Sequence, residues 1–142
     1  MTDFDPSAAG WSAIDDDPMP GGLGISWRKW DGDRWIYGLR TRNDHANRNG
    51  VIHGGILVAF ADHTLGNVAD TVADGARHAT IQLNTHFLAT AEPGDFLELR
   101  GEVTRSTGSM AFVRAIVSAE QKDVLAVDGI WRIFRPRKTG AL

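Results

Sequence analysis

The chain has 142 residues, of which 42% are hydrophobic and 23% charged, the balance of one folded domain and not of a disordered segment. It has no cysteine, which excludes a disulfide scaffold, a thiolate metal site and a thiol nucleophile. Its net charge of −3 makes it a poor general binder of nucleic acid, although local basic clusters could still grip a small anionic ligand. The start of the chain lacks a basic and then apolar leader, and the longest apolar run, Ile56–Ala61, falls far short of the ~20 residues that span a bilayer; a cytoplasmic protein without nucleic-acid or membrane partners is expected.

Residues 1–22 are rich in Asp, Pro, Gly and Ser and read as a loosely held arm ahead of a domain over 23–142. Ala8–Ile14 is expected to form a short helix that docks through Trp11 and Ile14. The run Asp15-Asp16-Asp17 lacks the ligand spacing and distal Glu of a calcium loop. Leu23–Trp30 and Arg34–Thr41 flank the turn signal Asp31-Gly32-Asp33 and predict a hairpin. Three of the five tryptophans, Trp27, Trp30 and Trp35, fall here and are expected in the core or at a subunit contact, or else lining an aryl pocket.

Asn43–Gly50 is a polar loop. Leu57, Ala61, Leu65, Val68 and Val72 then recur at three and four residues and predict one helix from about Gly54 to Ala73, with Gly75 as its stop. Four strand-like runs follow, near His78–Ala89, Phe96–Thr107, Ser109–Glu120 and Val124–Arg135. Their short connections predict an antiparallel meander. In the first, Ile81, Leu83, Thr85 and Phe87 are expected on the buried face. The class is α+β: an antiparallel sheet whose apolar face is covered by one long helix.

The densest chemistry lies in Asn47-Arg48-Asn49-Gly50-Val51-Ile52-His53-Gly54-Gly55. Two glycines at a helix start let a ligand approach unpaired N–H groups at the positive end of the helix, which is how an oxyanion site is built. A merely flexible helix entrance reads the same way. Asp62 interrupts the apolar run of the helix; it is either a solvent-facing carboxylate or one held at a cleft as base or nucleophile. Gly54 and Asp62 are eight residues apart, about 12 Å along a helix. If both act on one carbonyl, they must come from different chains, as in a two-fold dimer with two equal sites.

Other signatures are missing: there is no Gly-x-Ser-x-Gly, His-Glu-x-x-His, Gly-x-x-x-x-Gly-Lys or Gly-x-Gly-x-x-Gly. The five histidines (His45, His53, His63, His78 and His86) have no zinc-like spacing, so no metal is expected.

Asn47-Arg48-x-Gly50, His53-Gly54-Gly55, Asp62 and Thr80-x-x-Leu83-Asn84-x-x-Phe87-Leu88 together resemble the hot-dog fold acyl-CoA thioesterases, most nearly the PaaI-like group of phenylacetate pathways. The resemblance spans about Trp35 to Arg135. It implies a sheet wrapped around one helix, dimers formed edge to edge, and often a dimer of dimers, a homotetramer. It implies hydrolysis of acyl-CoA to a free acid and coenzyme A, with the coenzyme as part of the substrate and no separate cofactor. Gly54 would donate its N–H to the thioester carbonyl, and Asp62 would come from the neighbouring subunit. Thr80 would orient water, and Asn47 and His53 would hold the carbonyl or order the loop. Gly55, His63, Arg114 and Arg135 are the expected substrate-binding positions. Arg105, Arg132, Arg137 and Lys138 are further basic candidates for the coenzyme phosphates, or else part of an ordinary solvated face. The alternative function is a non-catalytic acyl-CoA-binding or assembly module of the same fold.

Overall fold

A computed structural model of the chain describes residues 3–136. In chain order its elements are β1 (Ser12–Ala13), β2 (Trp27–Trp30), β3 (Trp35–Arg40), α1 (Gly54–Ala73), β4 (Arg77–Phe87), β5 (Phe96–Ser106), β6 (Met110–Ala119) and β7 (Lys122–Phe134). The strands form one antiparallel sheet in the order β1-β2-β3-β5-β6-β7-β4. The helix packs on its inner face, the hot-dog arrangement that the sequence leads one to expect.

The hairpin turns where the sequence places it. Asp31 Oδ1 accepts from the backbone N–H groups of Asp33 and Arg34, and Gly32 takes a φ of +102°. Both bonds pull the Asp31 carboxyl below its usual range, with Arg34 the larger cause. The helix runs for twenty residues and ends as Asp74 enters the left-handed region, followed by Gly75 at φ +78°. Its buried stripe is wider than the sequence pattern, adding Phe60, Thr64, Gly66, Ala69 and Ala73 to Leu57, Ala61, Leu65 and Val68; Val72 is only half-buried. Facing it are Leu97 and Leu99 of β5, Val113 and Val117 of β6, and Leu125, Trp131 and Ile133 of β7. Burying each such side chain contributes roughly 1.5–3 kcal/mol.

Three expectations need correction. First, β4 does not sit beside β5. After Phe87 the chain leaves the sheet, and Ile52 N–H donates to the Ala91 carbonyl, so the connection passes the loop before α1. Thr41 Oγ1 lies 2.8 Å from the carbonyl oxygens of both Glu92 and Asp95 and fixes the far end of the crossing. Thus β5 starts beside β3, while β4 pairs with β7 and forms the other edge. A connection's length does not reveal which strand it passes.

Second, the alternation along β4 breaks at Ile81. Thr80 is opposite Trp131 and Gln82 opposite Ile130, which leaves Ile81 as an extra residue in a bulge. Ile81 is 53% exposed and not buried. Gly129 makes this possible: a Cβ there would lie 2.7 Å from the Gln82 carbonyl oxygen and 2.6 Å from the Trp131 ring.

Third, the arm is stitched on. Gly10, at φ +86°, ends a turn over 6–10 in place of the expected short helix. Trp11 then packs against Phe96 and Ile36, β1 pairs with β2, and Met19 and Leu23 enter the main core. Docking through Trp11 and Ile14 is as expected, although by strand pairing.

Candidate active site

The loop before α1 is braced by its own backbone. Asn47 N–H donates to the Val51 carbonyl and its carbonyl accepts from Gly50, while Asn47 Oδ1 accepts from Asn49 N–H at 2.9 Å. Asn47 therefore orders the loop; its amide N–H groups have no acceptor among the described residues. His45 lies beneath, 3% exposed. Its Nδ1 accepts from Arg42 N–H at 3.1 Å, and its carbonyl accepts from His53 N–H at 2.9 Å. Burial first, and the Arg42 charge second, push the His45 imidazole below its ordinary pKa. In the sequence, only its position two residues before Asn47 marks His45.

His53 caps the helix. Its Nδ1 accepts from Gly55 N–H at 2.9 Å, and its carbonyl accepts from Ile56 N–H at 2.9 Å and Leu57 N–H at 3.4 Å. A ring that accepts at Nδ1 in its neutral form carries its proton on Nε2. Gly55, expected to bind substrate, thus gives its N–H to the cap. Of the first four N–H groups of α1, that of Gly54 is left without an acceptor among the described residues. The Phe87 ring lies over this residue: a Cβ on Gly54 would come within 2.9 Å of it.

Asp62 lies two turns further on, on the flank of α1 that faces β4. Thr80 Oγ1 donates to its Oδ1 at 2.7 Å. The bulge at Ile81 makes this contact compatible with packing. On its two sides the inward positions change parity, so that His78 and Thr80, but also Leu83 and Phe87, face the helix. α1 is unbroken between Gly54 and Asp62, so the two remain about 12 Å apart within one chain. Along the free side of β4 the backbone has no strand partner among the described residues, and Ile81, Phe87 and Leu88 are exposed there or nearby.

The remaining candidates are not brought to this point. Arg114 pairs with Glu102 on the outer face of the sheet, with Nε 2.6 Å from Oε1. Arg135 clamps the far end of α1. Its Nη2 donates to the Val72 carbonyl at 2.8 Å, its Nη1 to Ala73 and Asp74, and its Nε to Gly108. All three nitrogens are engaged within the chain, at the end of α1 and at Gly108. His63 meets Asp17 of the N-terminal segment. Arg105 and Arg132 are exposed, with Arg132 stacked 5.8 Å from the Phe134 ring centre, and Arg137 and Lys138 lie outside the described residues. Trp30 and Trp35 are not core residues: they stack edge to face at 5.5 Å with 53% and 39% exposure, beside a cavity of about 380 Å³. Among the described residues no cluster of three or more His, Cys, Asp or Glu side chains is arranged to hold a metal, and no helix is long and apolar enough to cross a membrane.

The model of the family described as the thioesterase superfamily matches residues 49–126, from the loop before α1 into β7. The chain belongs to the thioesterase superfamily. The match contains Gly54, Asp62 and Thr80, whereas Asn47 lies two residues before it. Among curated relatives of this thioesterase-family chain, a protein of Saccharolobus solfataricus provisionally named an esterase is 31% identical over 105 residues, covering 73% of this chain and 74% of that one. A Pseudomonas aeruginosa protein named in the same way is 29% identical over 99 residues, 69% and 74% of the two chains. The fold is shared with the PaaI protein of the phenylacetic acid degradation operon of E. coli (TM-score 0.68, 16% identity, 92% of this chain and 83% of that one). It is also shared with a hypothetical thioesterase from Streptococcus pneumoniae solved with coenzyme A (TM-score 0.67, 16% identity, 92% and 90%).

Proposed function

We propose that the protein hydrolyses acyl-CoA thioesters, at two equal sites in a dimer formed along the free edge of β4. The observation that carries this reading is the pairing of chemistry with incompleteness. One helix start presents a single uncommitted N–H, at Gly54, and one helix flank presents a carboxylate already aligned by a hydroxyl, Asp62 with Thr80. Each is half of a hydrolytic site, and they are too far apart to meet within a chain. A two-fold axis beside β4 brings the Gly54 of one protomer to the Asp62 of the other. The open ladder of β4 and the exposed Ile81, Phe87 and Leu88 suit that edge to pairing.

In the proposed reaction, Gly54 N–H, at the positive end of α1, polarises the thioester carbonyl and holds the oxyanion, an effect worth roughly 3–4 kcal/mol per donor. His53 keeps the neighbouring Gly55 donor occupied, so the Gly54 donor is set apart by direction. Thr80 engages Oδ1 of Asp62 and leaves Oδ2 for the chemistry. That oxygen takes the proton of an attacking water, or it attacks the carbonyl carbon itself to give a mixed anhydride that water then opens. Either route expels coenzyme A as the thiolate and releases the acid. The coenzyme A held by the Streptococcus pneumoniae structure supports this substrate class. So does the family.

A non-catalytic module of the same fold would bind acyl-CoA and release no thiol. The Asp62–Thr80 contact favours hydrolysis, because a module that only binds has no use for an aligned carboxylate. The deciding experiment is thiol release across a panel of short, medium and aryl acyl-CoA thioesters. Turnover of at least one class supports the hydrolase; binding without turnover across the panel supports the module.

A further inference from the structure

We propose that the groove between the β2–β3 hairpin and the last two turns of α1 binds a small arylalkyl ammonium, a flat ring carrying a cationic amine. Asn67, Val68 and Thr71 form its helical side. They leave α1 about 140°, 120° and 180° from Asp62, whereas Asp62 faces Thr80 of β4. The groove is therefore separate from the candidate active site, and it stands or falls independently of the thioesterase reading.

The groove consists of two cavities that meet at Trp35, Tyr37 and Thr71. The first, of about 380 Å³, is walled by Trp30, Val68 and Val103 beside the shared residues. Its charged lining residues are joined to one another: Arg34 lies 3.4 Å from Asp33 and 3.8 Å from Glu102. What it offers a ligand is aromatic and aliphatic surface, with the indoles of Trp30 and Trp35 stacked edge to face and open to solvent. The second, of about 500 Å³, is lined by three carboxylates, Asp16, Asp17 and Asp70, against one guanidinium, Arg28. Asp17 and Asp70 each touch a histidine, and Asp16 has no ionic partner among the described residues.

Two further observations point to a cationic ligand. Arg28 does not pair with these carboxylates; its guanidinium lies 4.5 Å from the centre of the Trp35 ring, so this indole already takes a cation on its face. Tyr37, at the junction of the cavities, is 6% exposed, yet its hydroxyl has no hydrogen-bond partner among the described residues. Burial raises the phenol above its ordinary pKa, and after burial come the charges of Arg28, Asp70 and Asp17. The hydroxyl thus sits within the field of the second cavity, as a buried polar group in want of a partner. A ring against Trp30 and Trp35 and an ammonium toward Asp16 and Asp70, donating to the Tyr37 oxygen, satisfies both halves. An anion, coenzyme A phosphates included, meets an excess of negative charge there.

The test titrates the full chain with tryptamine, an indole with a two-carbon ammonium, and with indole-3-propionate, the same ring with a carboxylate, by calorimetry and by amide chemical shifts. Tryptamine is expected to bind at least about tenfold more tightly than indole-3-propionate or propylamine, which lacks the ring. It should shift the amides of residues 35–37 and 67–71 and leave that of Asp62 in place. Asp16→Asn and Asp70→Asn should each weaken tryptamine severalfold without weakening indole-3-propionate, and Tyr37→Phe should weaken tryptamine as well. No tryptamine binding at about 10 mM, equal binding of the two indoles, or shifts centred on Asp62 would overturn the site. Unchanged tryptamine affinity in both Asp variants would overturn its ammonium end. A folded Trp30→Gln variant that falls apart into monomers would also overturn it, by showing that a second copy of the chain covers the groove. Thiol release from acyl-CoA enters none of these readouts, so a failure of the groove and a failure of the thioesterase reading are told apart.

Discussion

Thr80 Oγ1 and Asp62 Oδ1 are 2.7 Å apart, a contact made from the helix-facing side of β4 just ahead of the bulge at Ile81. Were β4 to run through Ile81 in regular alternation, with no bulge, a strand that points Leu83 and Phe87 at the helix would turn position 80 away from it. The bulge thus converts an edge strand that packs into one that also presents a hydroxyl to a carboxylate. The same strand makes a second contact of this kind further along, between His78 Nε2 and Asp70 Oδ1, also at 2.7 Å.

Replacing Asp62 by Asn keeps the shape and removes the base or nucleophile. The expected result is a folded protein, with unchanged circular dichroism and oligomeric state, whose turnover of its best acyl-CoA falls about 10³-fold. Activity equal to wild type would remove Asp62 from the mechanism.

Thr80→Val keeps the branched shape and deletes the donor. A hydrogen bond to a charged group is worth about 1.5–3 kcal/mol, so kcat/KM should fall roughly 10- to 150-fold, and Thr80→Ser should recover most of it. A Val variant as fast as wild type would show that the hydroxyl only fills space.

Single-turnover hydrolysis in ¹⁸O-water tests for an anhydride opened at the Asp62 carbonyl; label in the acid alone fits the base route and an anhydride opened at the acyl carbon equally. With Asp62 as base, the label appears in the released acid. A mixed anhydride opened at the Asp62 carbonyl puts it into the protein, detectable by mass spectrometry of the peptide containing residue 62.

His45 makes stability depend on pH. Its imidazole is held below its ordinary pKa by burial, so the folded state binds a proton less readily than the unfolded chain, where the value is about 6.5. Its contribution is complete above that value and is lost as pH falls below it toward the folded pKa. Thermal melting followed between pH 7.5 and 5 should show a decline that is shallower in His45→Asn. Identical slopes would remove His45 as the cause.

Arg135→Ala should lower stability by roughly 1–3 kcal/mol, because the carbonyls at the end of α1 lose their donors. Arg135→Lys should recover only part of this, since one ammonium does not reproduce a guanidinium that reaches Val72, Ala73 and Gly108 together. Denaturant titration measures both. Full stability in the Ala variant would contradict the clamp.

What the sequence discloses and what it conceals follow from the range of the interactions. The bounds of α1 are legible because Leu57, Ala61 and Leu65 repeat with the helix period and Gly75 marks the stop. The hairpin is legible because Asp31-Gly32-Asp33 has the chemistry of its turn. These are local signals. The neighbours of β4 are not local: nothing in Leu88–Asp95 says that it will cross to β3. The bulge at Ile81 depends on Gly129, almost fifty residues away. Asp17 looks like part of a solvated acidic run until His63 is placed beside it. In the candidate site, His53, Gly54 and Asp62 stand out by type and spacing. The division of labour between Gly54 and Gly55 appears only once the His53 ring is seen to occupy one of the two donors.

The central claim, that each site takes Gly54 from one protomer and Asp62 from the other, is tested most directly by mixing two inactive variants. Asp62→Asn lacks the carboxylate. Gly54→Pro lacks the N–H at the first helical position, which suits the proline backbone, while its Cβ requires the exposed Phe87 ring to shift. Unfolded and refolded together in equal amounts, they should form mixed dimers in which one site recovers both an intact Gly54 and an intact Asp62, restoring about a quarter of wild-type activity. A mixture that forms mixed dimers yet stays as inactive as its two parents would contradict the shared site.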